Sequence, residues 1–96
     1  MVVGVCRLTL SIPENADLKG KRSVVKRIIA RTRQQFNLAM AEVDDQDIWQ
    51  SAVLGFCVVG NDHRFVNSVI DKVIVFIDEL YLAEIDDHAI EILHVL

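Results

Sequence analysis

Residues 17–36 read DLKGKRSVVKRIIARTRQQF. Val24, Val25, Ile28, Ile29, Thr32 and Phe36 recur there at the three-and-four spacing of a buried helical stripe. Asp17 stands just ahead of Leu18, where an N-cap acceptor is wanted. The rest of the helix surface is cationic. Lys19, Lys21, Arg22, Lys26, Arg27, Arg31 and Arg33 make up seven of the chain's ten basic residues, and no acid follows Asp17 within the stretch. At about 100° per residue, Lys19, Arg22, Lys26 and Arg33 fall within a band roughly 60° wide, while Arg27 and Arg31 flank the stripe on its other side.

Strand patterns surround this helix. Before it, residues 2–12 (VVGVCRLTLSI) alternate after Gly4, with Cys6, Leu8, Leu10 and Ile12 on one face and Val5, Arg7, Thr9 and Ser11 on the other. After it, residues 38–43 (LAMAEV) read as a short strand of ambiguous facing. Residues 44–50 (DDQDIWQ) form an acidic connection, and residues 52–59 (AVLGFCVV) are apolar on both parities, as a central strand is. Gly60, Asn61 and Asp62 supply a turn and a second cap. A second helix is expected over residues 63–81, burying Phe65, Val66, Val69, Ile70, Val73, Phe76, Ile77 and Leu80. A last strand is expected over residues 89–95. With right-handed crossovers this order predicts an α+β, ferredoxin-like split βαβ sandwich (βαββαβ): one domain over residues 1–96, with an antiparallel four-stranded sheet and both helices on one face. The other face is left open.

Composition narrows the classes. A 96-residue chain has room for one core, and a 52% hydrophobic content with mean hydropathy +0.33 fits strands with near-continuous apolar runs. No apolar run reaches the 18 residues of a membrane span, and the N-terminus lacks a signal peptide's charged start. Cys6 and Cys57 sit inside strand patterns without CxxC spacing, as buried free thiols in a reducing cytoplasm do; a disulfide or redox pair is the alternative. The net charge of −4 conceals an asymmetry. Residues 1–35 hold eight Lys and Arg against Glu14 and Asp17, a net of +6, and residues 36–96 hold two against twelve acids, a net of −10. Such a dipolar molecule suits a polyanion on one side, or contact with its own kind.

DLKGKRSVVK, AEVDDQDIWQSAVLGF and the VGND turn before a helix together resemble the YlxP-like family of small bacterial proteins. That family's usual SLKxKR helix start appears as DLKGKR, and its AEVxDQDxWQxA segment is complete. The resemblance implies a ferredoxin-like fold and a gene often placed beside translation and ribosome-maturation genes. It implies no catalytic residue, since the family has no established activity.

The residues offer little other chemistry. Leu54 to Val59 has the outline of an RNA-stacking strand, but lacks its leading basic residue and later aromatics. His88 and His94 share a parity yet lie some 20 Å apart along a strand, too far for one metal ion. Asp44, Asp45 and Asp47 lack the glycine and final glutamate of a calcium loop. The loop at residues 13–17 has no glycine and two acids, unlike the phosphate cradle of acylphosphatases, and no Ser or Cys has a base beside it. Trp49 is expected to cap the end of the core rather than anchor a partner. The sequence therefore predicts a cytoplasmic, non-enzymatic RNA- or ribosome-associated module contacting phosphates through its first helix. The alternative is a homo-oligomeric interaction domain without nucleic acid. No cofactor, membrane or small-molecule substrate is implied. A homodimer is expected to meet at Val3 and Val5 on the open sheet face.

Overall fold

In the computed structural model, which describes residues 1–96, the elements run β1 (Val2–Ser11), α1 (Leu18–Gln35), β2 (Ala39–Asp44), β3 (Ser51–Gly60), α2 (His63–Glu79) and β4 (Glu84–His94). All strand pairings are antiparallel, in the order β2-β3-β1-β4. This is the ferredoxin-like arrangement read from the sequence. β1 and β3 are the central strands, which explains their apolar content. Cys6, Leu8 and Leu10 pair with Phe56, Leu54 and Ala52, and all six turn into one core.

Both helices cover that same face. α1 lies beside β2, and α2 lies over β1, β3 and β4. Val25 and Ile28 enter the core from α1; Val66, Ile70, Val73 and Ile77 enter it from α2. The Phe36 and Phe76 rings meet edge to face, with centroids 5.6 Å apart, and join the two helices. Gly4 permits the close seating of α2. A Cβ there would stand 2.5 Å from Val66 Cγ1 and 2.6 Å from Ile70 Cδ1. Val3, Val5, Arg7 and Thr9 alternate to the uncovered face, beside Gly55, Cys57 and Val59 of β3.

The structure corrects four details. β4 begins at Glu84, five residues before the expected start, and pairs with β1 along its whole length through a register shift between Thr9 and Leu10. As an edge strand it has one neighbour, so Asp86, Asp87 and His88 can stay wet and weaken its apolar signal. α2 ends at Glu79, and Tyr81 adopts a left-handed backbone (φ 54°) in the exit turn. Phe65 is 55% exposed, because the buried stripe of α2 runs through Val66 instead. Trp49 is 54% exposed and does not cap the core. The ambiguous facing of β2 resolves with Met40 inward. No helix is long and apolar enough to cross a membrane.

Candidate nucleic-acid interface

The first turn of α1 is fixed from both sides. Asp17 has extended backbone and its Oδ1 accepts the Gly20 N–H at 2.7 Å, satisfying one orphan donor of the helix start. Asn15 Nδ2 donates to the carbonyls of Asp17 and Trp49, both at 2.6 Å. The Asn15 carboxamide occupies the space that a Cβ at Gly20 would need, so the glycine that weakens the helix turn makes this bridge fit. The Ile12 N–H donates to the Gln50 carbonyl at 2.9 Å, and Gln50 Nε2 reaches the carbonyls of Pro13 and Asn15. The start of α1 is thus pinned to the β2–β3 connection.

Lys21 completes the joint from inside, and this corrects its expected place on the phosphate-binding surface. Its side chain is buried, 2.9 Å from Glu42 Oε2 of β2, and its Nζ donates to the Asp45 carbonyl. The carboxylate contact is an ion pair without hydrogen-bond alignment, since Glu42 Oε2 makes no hydrogen bond. Asp45 has left-handed backbone (φ 59°), which Asp tolerates better than most residues. Its side chain accepts from Ser51 Oγ at 3.0 Å. The buried signal was present in the sequence: Lys21 precedes Val25, Ile28 and Thr32 at spacings of four, three and four.

The other six cations stay outside. Lys19, Arg22, Lys26, Arg27, Arg31 and Arg33 are all exposed, and none pairs with a carboxylate, because Lys21–Glu42 is the one ion pair of the molecule. Arg22, Lys26 and Arg33 share an open cleft of about 460 Å³, with Val25, Ile29 and Ala30 as its apolar floor. Glu42 also lines it. The Lys21 ammonium holds that carboxylate, so the only acid beside the cleft opposes an incoming anion less than a free one does. Arg27 and Arg31 lie outside this cleft.

The remaining candidates come apart. Phe56 faces the core, so the sheet presents no aromatic platform. His94 stacks on His63 instead of His88, with ring centroids 5.4 Å apart and Nδ1 of His63 3.2 Å from Nε2 of His94. No three His, Cys, Asp or Glu side chains gather in one place. Cys6 and Cys57 are free thiols, and burial pushes the Cys6 thiol up to about 11.

The family model for a protein of unknown function, DUF503, matches residues 3–90. The uncharacterized protein YlxP of Bacillus subtilis (strain 168) is 31% identical over 77 residues, which span 80% of this chain and 84% of that protein. Two designed proteins share the architecture. Foldit4 superposes with a TM-score of 0.51 at 12% identity, over 99% of this chain and 98% of its own. A designed ferredoxin-fold protein solved in solution gives 0.52 at 17% identity, over 97% and 83%. Likeness to designs at such identities shows the fold alone. The stretches that resemble the YlxP-like family, DLKGKR and AEVDDQDIWQ, meet in space through Lys21–Glu42 and Lys21–Asp45, with Asn15–Trp49 alongside.

Proposed function

We propose that this chain, which belongs to the DUF503 family of proteins of unknown function, is a non-enzymatic cytoplasmic module that associates with structured RNA or a ribosomal particle through α1. The observation that carries the reading is a helix with six exposed cations and no acidic partner. Exposed helices ordinarily mix signs, and unbalanced charge of one sign costs self-repulsion that a polyanion relieves.

The shape of the charge favours a polymer over a single phosphate. Eleven residues separate Arg22 from Arg33, about 16 Å along the helix axis. A duplex carries a charge for each ~1.7 Å of its axis, so this length meets several phosphates at once. Arg22 and Arg33 supply forked donors that suit phosphate oxygens, and Lys26 adds a point charge between them. The apolar floor of the cleft accommodates a sugar or the face of a base. The molecule's acidic remainder orients the basic helix toward the polyanion during approach.

The test is fluorescence anisotropy of a labelled structured RNA, titrated at low and at physiological salt, with Lys26→Glu/Arg33→Glu as the variant. Wild type should bind in a salt-dependent manner, and the variant should keep its circular dichroism while losing the binding. An absence of any salt-dependent RNA binding by wild type overturns the proposal.

A further inference from the structure

The sheet face opposite the helices carries a second surface, independent of the phosphate reading. Partners across an antiparallel ladder point to the same side, so the register lays out this face in rows. Val59, Val3 and Leu93 form one row, and Ala39, Cys57, Val5 and Glu91 the next. Ala41, Gly55, Arg7 and Ala89 form a third. Beyond them Val53 of β3 and the exposed Val43, which lies against Gly55, continue the apolar surface on the β3 side, while the β4 side turns polar, with Thr9 beside Asp87 and Ser11 beside Glu84. Val59 is 60% exposed and Leu93 45%. The apolar side chains thus fill one end of the face and run on along its β3 side, next to a polar border on β4.

Two charges interrupt the apolar end, and they have opposite sign. Val5 pairs with Glu91 and Arg7 with Ala89, which makes Arg7 and Glu91 diagonal neighbours on β1 and β4, roughly 7–8 Å apart. They border the same shallow depression over Val5 and Ala89. Yet they do not pair with each other in the folded chain. A two-fold axis passing between them lays Arg7 of one copy on Glu91 of the other, and does so twice. One unpaired cation and one unpaired anion within an apolar patch make it complementary to itself, as an isologous interface requires. A partner of uniform charge would satisfy only one of the two.

The size fits as well. Four strands at ~4.8 Å and ten residues at ~3.4 Å give a face on the order of 600 Å² per copy, so two copies bury more than the ~1,000 Å² that a specific interface needs. We infer that the open sheet face is the contact between two copies of this chain, centred on Val5 and locked by reciprocal Arg7–Glu91 pairs. The two α1 helices then point away from each other, and the dimer presents two basic surfaces on opposite sides.

Sedimentation of Arg7→Glu, Glu91→Arg and their equimolar mixture tests the inference at tens of micromolar. Wild type should sediment at twice its 10.8 kDa. Arg7→Glu puts carboxylates at both positions and Glu91→Arg puts guanidinium groups at both, so each alone should weaken the dimer by about tenfold or more. Mixed, the two variants restore both pairs between copies, and the dimer should return. That rescue requires each variant to be folded and the pairing to run between chains. Overturning results are a wild type of 10.8 kDa, a dimer that both single variants leave intact, or a mixture that stays monomeric.

Discussion

Lys21 Nζ and Glu42 Oε2 lie 2.9 Å apart, with the two side chains 1% and 19% exposed, so α1 and β2 are joined by an ion pair largely shut off from water. Removing one partner strands the other charge in the interior. Lys21→Met should destabilise the fold by about 3 kcal/mol, far more than loss of a surface lysine. Lys21→Met/Glu42→Leu should recover much of that loss, because apolar replacement of a whole buried pair is close to neutral. Urea unfolding of the single and double variants reads both. A Lys21→Met midpoint matching wild type would show that the pair contributes nothing.

Gly4 should resist enlargement. A methyl group there meets Val66 and Ile70 at sub-contact distance, and the β-branched Val66 has little freedom to yield. Gly4→Ala should cost about 1–3 kcal/mol through displacement of α2. Adding Val66→Ala opens the space, so the double variant should be more stable than the sum of the two singles. Additive losses in thermal unfolding would place the strain elsewhere.

The two thiols should differ in reactivity. Cys6 is buried and its thiol is pushed up to about 11, whereas Cys57 is half-buried on the open face. A thiol-specific reagent near pH 8 should modify Cys57 in the native protein and Cys6 only after unfolding. The same shift acts on stability. Above about pH 9 the unfolded chain gives up the Cys6 proton while the folded chain keeps it, so stability should fall between about pH 9 and 11. Cys6→Ala should flatten that segment of the pH profile. A Cys6 that reacts as fast as Cys57 in the native protein contradicts the burial.

The cations of α1 should not be equivalent. Arg22, Lys26 and Arg33 share the cleft, while Arg27 and Arg31 lie outside it. Charge reversal at each of the first three should weaken RNA binding more than reversal at either of the latter two, and should lower the salt slope by about one contact each. Equal losses at all five positions would mean that the helix acts as a diffuse charge and the cleft has no special part.

Much of this arrangement was legible from periodicity. The alternation of Cys6, Leu8 and Leu10 set the inner face of β1, and Asp17 and Asp62 marked the caps that the structure contains. β4 was half-hidden because an edge strand needs apolar residues for one face and one neighbour only, so Asp86 and Asp87 read as loop. Lys21 is the exception: a lysine among seven basic residues reads as surface by composition, although its place on the stripe is interior. Its partners were beyond local reading, since Glu42 and Asp45 lie more than twenty residues away and meet it only through the fold. Phe65 is the converse, an apolar residue one position off the buried stripe and so left exposed.

The position of β1 between β3 and β4 sets the timing of assembly during synthesis. β1 must wait for β4, since Val2 pairs with His94 and Ser11 with Glu84. A growing chain can form the α1–β2 joint and the β1–β3 ladder early. The β4 side of β1 stays open until β4 is released, with its backbone donors and acceptors available to any stray strand. Closing the sheet requires contacts between residues far apart in sequence, as Val2 with His94, the kind that slows folding. Completion of the sheet is therefore tied to the arrival of β4, and a chain cut short before β4 carries β1 as an open edge, a ready template for aggregation.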